Sequence, residues 1–427
     1  MKTVLILTYY WPPAGGPGVQ RVLKFAKYLP QFGWRPIILS VANGEYPAMD
    51  ASLLNDVADD LEVCKTASLE PFALYRLFTG QKKEDKISTF VLTEDSQGSL
   101  QKRLASFVRG NLFIPDARIG WKLFALRAAM RLMKREQIDA IFSTAPPMST
   151  HLIAKSLARK TGLPWIADFR DPWTDVFYYH NLKRTKTALA LDWRLEKSVL
   201  RSASAVVTVS PTIGNLLREK ADNEFHVIPN GFDETDFQGI NAAPDDGRMH
   251  IVHAGHLAVN QNPTGLWTAL KMLGEENKDF REKLTLDFYG SIHSRVNQSI
   301  TTAGLESFCA FHNYLPHDEL VAVMKRAALL FFVVPHTSTA KGIPTSKLFD
   351  YMGAGRPILG IGPVDGDAAT MLHESDAGVM RDWLDADEIK AAVLKLISDD
   401  KAVAADVQQF SRKIQSEKLV EILNDLC

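Results

Sequence analysis

Short runs of Val, Ile, Leu and Phe recur along this chain, with segments of helical period between them. Runs of that length and apolarity mark parallel strands covered on both faces by crossover helices. A first series lies at residues 3–10, 35–41, 140–144, 165–169 and 205–210, and a second at 250–255, 284–290, 309–314, 328–334 and 356–362. The intervening stretch 230–250, NGFDETDFQGINAAPDDGRMH, is rich in Gly, Asp, Asn and Pro and has no apolar period, which makes it the best domain boundary. Two successive strand sets predict an α/β protein of two doubly wound parallel-sheet (Rossmann-like) domains, facing each other across a cleft. A length of 427 residues suits two cores better than one. The expected limits are 1–230 for the first domain and 245–402 for the second. Residues 403–427 form a C-terminal helix long enough to cross back to the first.

Charge narrows the partners. With 49 basic and 50 acidic side chains the chain lacks the broad basic footprint that nucleic-acid binding demands, so no nucleic acid is expected. Cys64, Cys309 and Cys427 are far apart and show neither disulfide nor zinc spacing, which fits a reducing cytoplasm. No run reaches the length of a membrane span, and the N-terminus reads as a first strand rather than a signal segment. One stretch departs from neutrality: Gln101–Arg135 holds nine Lys or Arg residues and one acid, Asp116, among Leu, Phe and Trp. This basic amphipathic insertion, about 95–135, suits docking on anionic lipid headgroups, and a plain solvated helix face is the alternative.

Candidate chemistry sits where strands end, because open parallel sheets bind ligands at their carboxyl edges. After the first strand, Gly15, Gly16 and Gly18 let the backbone approach a ligand at a helix N-terminus, where N–H groups favour an anion; a tight turn without a ligand is the alternative. The spacing is not that of the dinucleotide fingerprint, so hydride transfer is poorly supported. Ser143, Thr144, Arg170 and Asp171 follow two further strands, while Asp168 lies within a strand and His151 among apolar helix neighbours as a core histidine. In the second half Gly255 and Gly290 close strands, and His256 follows the first of them. The stretch GIPTSKLFDYMGAGRPILG, residues 342–360, then sets Lys347 and Asp350 three apart on a short helix that Thr345 or Ser346 can cap. A phosphate at that N-terminus is favoured by the helix dipole and by Lys347, and a carboxylate one turn on can accept from two vicinal hydroxyls, as on a ribose. That pairing suits a nucleotide; a mere exposed ion pair would contribute little.

Taken in order, YYWPPAGGPGVQR, STAPPMSTHL, IADFRDPWTD, VVTVSPTIGNLL, VIPNGFD and GIPTSKLFDYMGAGRPIL resemble the retaining nucleotide-sugar glycosyltransferases of family 4, with the GT-B fold. FIPDARIGW is also similar to members that build polysaccharides from lipid-linked intermediates. The resemblance implies a hexosyl-type transferase without metal or other cofactor, the nucleotide-sugar being a substrate and the acceptor a glycan or lipid-linked molecule. With the cysteine usage and the basic stretch 101–135, the expectation is a cytoplasmic enzyme that can sit peripherally on the inner face of the cell membrane. Gly15, Gly16, Gly255, His256, Thr345, Ser346, Lys347 and Asp350 are then donor-binding, and Arg170, Asp171 and Thr144 lie on the catalytic, acceptor side. The family pattern has two glutamates separated by seven residues; here Gly342 and Asp350 stand at those positions. The arginine and lysine that usually follow the second domain's first strand are absent from HAGHLAVNQNP, and Arg170 stands where many relatives carry histidine. Two rivals share the architecture: a nucleotide-sugar epimerase, with His151 and Asp171 as acid and base, and a non-catalytic binding subunit that has lost the first glutamate.

Overall fold

The structure, a computed structural model, describes residues 1–46, 48–69, 107, 110–177, 179–182, 184–313, 315–398 and 406–427. They form two compact units. The first comprises Met1–Pro229 and Gln415–Cys427, and the second Asn230–Ile414.

In the first unit seven strands make one parallel sheet: β1 (Lys2–Leu7), β2 (Trp34–Val41), β3 (Glu62–Thr66), β4 (Ala140–Ala145), β5 (Trp165–Phe169), β6 (Ala205–Thr208) and β7 (Phe225–Val227). Their spatial order is β3-β2-β1-β4-β5-β6-β7, so the winding reverses between β1 and β4. Leu5 lies beside both Ile37 and Ile141 in the register. Helix α1 (Pro17–Tyr28) covers one face of the sheet; α2 (Lys122–Arg135), α3 (Ser149–Thr161), α4 (Lys186–Ser202) and α5 (Pro211–Arg218) cover the other. The order is Rossmann-like, and its switch point puts the β1 and β4 exits side by side.

The second unit repeats the plan with six parallel strands: β8 (Met249–Ala254), β9 (Leu284–Tyr289), β10 (Cys309–His312), β11 (Leu329–Val333), β12 (Ile358–Ile361) and β13 (Gly378–Arg381). Here the order is β10-β9-β8-β11-β12-β13, with the switch between β8 and β11. Helices α6 (Thr264–Glu276), α7 (Lys278–Lys283) and α8 (Ser294–Thr302) pack on one face, and α9 (His317–Arg326), α10 (Ser346–Ala354) and α11 (Asp367–Ser375) on the other. Helix α12 (Ala386–Ser398) joins the first layer, and α13 (Arg412–Leu426) closes the chain. Through Leu419, Val420, Ile422 and Leu423, α13 packs into the first unit's core beside Val4, Ile6 and Phe142.

All ten strands read from apolar runs are present, six of them shorter than the run by one to three residues. Three strands carried no such run. β3, β7 and β13 lie at sheet edges, where only one neighbour and partial cover leave their residues half-buried and the sequence mixed. The stretch 230–248 is not a free linker: Phe232 and Phe237 join the second unit's core, and Lys325 Nζ donates to the carbonyls of Phe237 (2.7 Å) and Ile240 (2.8 Å). Nor is 122–135 an insertion. It is α2, the crossover between β3 and β4, and buries Ala125, Ala128, Ala129 and Leu132 against the sheet. Lys102, Arg103 and Arg109 lie outside the described residues. Among those that are described, no helix is long and apolar enough to cross a membrane.

Candidate active site

At the switch point of the first unit the chain leaves β1 through Gly15 and Gly16. Gly16, at φ +108, occupies backbone space that L side chains avoid, and Pro17 then starts α1. A Cβ on Gly15 would lie 3.0 Å from that of Asp50, so the turn is packed on one side and open at Gly16. Arg170 follows β5. Its Nε donates to the Ala145 carbonyl (3.1 Å) and its Nη2 to the Pro146 carbonyl (2.7 Å), both at the exit of β4. The Nη1 end of the guanidinium thereby lies against Gly18, where a Cβ would overlap it. A fixed cation thus stands over the first turn of α1, whose N–H groups point the same way. Burial nonetheless pushes the Arg170 pKa down, against the charges of Asp168 and Asp171. Asp171 makes no hydrogen bond or ion pair to a described residue; burial raises its pKa, while Arg170 lowers it.

Thr144 is corrected. It is only 1% exposed, and its hydroxyl donates to Asp168 Oδ2 (2.7 Å), so it serves the sheet rather than a ligand. Asp168 in turn receives Arg21 Nε (3.1 Å) and Nη2 (2.9 Å), while Arg21 Nη1 reaches the Pro229 carbonyl (2.8 Å). Both charges are fully buried. His151 is a core residue, its Nδ1 2.8 Å from the Ser143 hydroxyl and its ring against Phe169; burial depresses its pKa to about 3, so it stays neutral.

The loop that begins at Arg170 is held from α4. Asp192 accepts from Trp173 Nε1 (2.9 Å) and Tyr179 Oη (2.7 Å) and pairs with Arg184. One turn later Glu196 accepts from Thr174 Oγ1 (2.5 Å) and pairs with Lys220 (2.8 Å). Two carboxylates at i and i+4 therefore hold Trp173, Thr174, Tyr179 and Arg184.

In the second unit β8 ends at Gly255, with φ +108. Thr345 caps α10, its Oγ1 accepting the Lys347 N–H (3.3 Å), with Ser346 as the first helical residue, and Gly355 ends the helix in the left-handed region at φ +68. The hydroxyl of Tyr351 accepts the Ala254 N–H (2.9 Å) and fastens α10 to the end of β8. Lys347, four residues earlier on that face, is thereby laid over Gly255; a Cβ there would be 2.8 Å from Lys347 Cε. Asp350 stands on the next face. Neither charged group forms a hydrogen bond or ion pair with a described residue. Burial lowers the Lys347 pKa, which Asp350 partly restores. Burial raises Asp350 to about 6, against the charges of His317 and Arg412. Below Lys347, His253 is held neutral, its pKa driven to about 3 by burial and by the lysine's charge. By contrast Asp287, another enclosed carboxylate, has both oxygens occupied, by His250 Nδ1 (2.6 Å) and His312 Nε2 (2.8 Å).

His256 is exposed beside Gly255, its Nδ1 2.7 Å from Ser291 Oγ. Gly342 is buried in a turn between β11 and α10, its N–H on the Thr339 carbonyl (3.1 Å). The residues missed from sequence are Arg21, Gly18's contact with Arg170, and Tyr351; a lone Arg or Tyr on a helix carries no signal of a partner so far along the chain. No cluster of three or more His, Cys, Asp or Glu side chains that could hold a metal occurs among the described residues.

Residues 73–236 match the model of Glycosyltransferase Family 4. No curated protein matches the chain in sequence. Among solved structures, sucrose-phosphate synthase from Thermosynechococcus elongatus is similar with a TM-score of 0.62 at 12% identity, over 100% of this chain and 99% of that one. The E. coli trehalose-6-phosphate protein, bound with UDP-2-fluoro glucose, gives 0.61 at 10% identity over 100% of both chains. WaaG, a glycosyltransferase involved in lipopolysaccharide biosynthesis, gives 0.50 at 12% identity, over 99% of this chain and 95% of that one. Residues 73–236 are thus similar to the family 4 glycosyltransferases, and the chain shares the GT-B fold of those solved structures.

Proposed function

We propose that the protein moves a hexosyl group from a nucleoside-diphosphate sugar to a glycan or lipid-linked acceptor, with retention and without metal, in polysaccharide or glycoconjugate biosynthesis. One observation carries the reading: Lys347 and Asp350 are half-buried, lack hydrogen-bond and ion-pair partners among the described residues, and stand in the first turns of a helix fixed over Gly255. Half-buried charges without partners are costly in the free protein and are stabilised when a ligand supplies the missing partners. Lys347 and the first N–H groups of α10 suit the diphosphate, and Asp350 suits two ribose hydroxyls. Thr345, Ser346, Gly255 and His256 border that place.

The anomeric C–O bond breaks with its electron pair going to the diphosphate, whose growing charge meets Lys347 and backbone N–H groups. The acceptor hydroxyl bonds to the same face of the sugar as it gives up its proton to an oxygen of the departing diphosphate. Gly15, Gly16, Arg170 and Asp171 serve the acceptor side or the donor phosphates. The sucrose- and trehalose-phosphate synthases with this fold act on sugar phosphates by their names, which supports a polar acceptor. The working place proposed is the cytoplasmic side of an anionic membrane.

The test is a thermal-shift screen of the purified protein against UDP, GDP, ADP and dTDP and their sugars. At least one is expected to raise Tm, and Asp350→Ala is expected to abolish that rise while leaving the fold intact. An unchanged nucleotide affinity in the variant would remove the role given to Asp350. Product formed only when acceptor is added separates a transferase from an epimerase.

A further inference from the structure

We propose that the outward face of α4, with the adjoining faces of α2 and α3, docks on an anionic phospholipid bilayer. The inference deepens the membrane side of the proposed function by assigning it a surface. It begins with the disposition of charge on α4, KTALALDWRLEKSVLRS. Its two acids, Asp192 and Glu196, point inward, fully buried and satisfied by the loop they clamp. The outward face keeps Lys186, Arg194, Lys197 and Arg201, none of them paired with a described acid. Folding has separated the helix's charges by sign, cations out and anions in.

Neighbouring helices add to the excess. α3 packs against α4 and α2 against α3, and neither contains an acid. Lys122 and Lys155 both have depressed pKa values, from burial first and then from the charge of Arg159. Lys155 also reaches the Ser198 hydroxyl on α4, which ties the cationic patch together. Like charges crowded in this way repel one another, and an anionic surface relieves the repulsion. The chain as a whole is near neutral, with a net charge of −1, so the excess is local.

Apolar side chains select a bilayer over a soluble polyanion. Leu189, Leu191 and Trp193 project from α4 among its cations, and Lys197 Nζ sits 4.7 Å from the Trp193 ring centroid. Leu112, 73% exposed, follows Asn111, whose side chain accepts the Thr185 N–H (2.6 Å) at the start of α4. Trp193, Arg194, Lys197 and Arg201 line an open groove of about 480 Å³. A basic face bearing Trp and Leu is the composition that lies in a headgroup region, with its apolar side chains at the acyl boundary. Since the other face of α4 holds the loop from Arg170 onward, docking would set Asp171 close to the headgroup plane.

Co-sedimentation with vesicles tests this, using phosphatidylcholine alone and phosphatidylcholine mixed with phosphatidylglycerol. The protein is expected to bind the mixed vesicles, to ignore the neutral ones and to release as salt rises. Each charge removed near the surface weakens partition about fivefold, so Arg194→Gln with Lys197→Gln and Arg201→Gln is expected to lose about a hundredfold. Trp193→Ala is expected to weaken partition less steeply and to leave the salt dependence in place. An unchanged Tm shows that each variant is folded. The proposal is overturned if the protein does not bind the mixed vesicles, if the triple variant binds them as well as the parent, or if the parent prefers heparin or single-stranded RNA and ignores vesicles. Loss of nucleotide stabilisation with vesicle binding intact would count against the donor-site reading alone.

Discussion

The two units share a strand order, but their sheets end in opposite electrostatic conditions. In the first, the fully buried pair satisfies itself, with Arg21 holding Asp168, which also receives Thr144; Arg170 spends its Nε and Nη2 on carbonyls, and the half-buried Asp171 beside it is left without a described partner. In the second, Lys347 and Asp350 are half-buried with no hydrogen bond or ion pair to a described residue. The Arg21–Asp168–Thr144 arrangement is complete without a ligand, and its rigidity is already present in the free protein. The second is completed from outside, which is the condition expected of a site whose charges serve a substrate.

Removing a partner in the first unit is the strongest way to break that contrast. Arg21→Met leaves Asp168 buried and uncompensated, with an expected loss of about 3–5 kcal/mol in urea unfolding. Removing a charge in the second unit has the opposite sign in the free protein. Lys347→Met is expected to abolish nucleotide stabilisation, which for the parent is about 2.7 kcal/mol at a hundredfold excess over Kd, without lowering the Tm of the unliganded protein. A loss of unliganded stability as large as that of Arg21→Met would erase the distinction between the two sites.

A smaller effect sharpens it by pH. The Asp350 carboxyl titrates at about 6 in the fold and at 3.8 ordinarily, so between those values the native state binds more protons than the unfolded chain. Stability contributed by this group is therefore present below about pH 4 and is lost as pH rises to about 6. Asp350→Asn is expected to flatten that slope and to raise the neutral-pH Tm by a few degrees. Nucleotide affinity should move the other way, strengthening as pH passes 6 and the carboxylate forms. The smallest expected effect on stability is that of Gly18→Ala. The new methyl displaces the end of a flexible Arg170, within about 1 kcal/mol in unfolding, yet transfer activity should fall because the guanidinium leaves its place over α1.

The sequence exposes the interior of each sheet because parallel strands buried on both faces must be apolar throughout; edge strands such as Glu62–Thr66 escape that rule. Lys347 and Asp350 were legible as a pair because helical spacing is local. What gives the pair its meaning is not local: Tyr351 reaches Ala254 across 97 positions, and Arg21 meets Asp168 across 147. Thr144 shows the converse error, since a hydroxyl at a strand end looks available until its acceptor is located. In 122–135 a charge pattern outweighed the alanines at 125, 128 and 129, whose small size lets α2 lie close on the sheet.

Helix α13 gives the chain a temporal order as well as a spatial one. Leu419, Val420, Ile422 and Leu423 complete a core whose other residues, from Val4 to Ile228, were translated long before. A nascent chain emerges amino end first, so the first unit must wait with part of that apolar surface uncovered while all of the second unit is synthesised. The first unit's core is thus closed only by residues that follow the whole of the second unit in the chain, and its sheet keeps an open flank until they arrive.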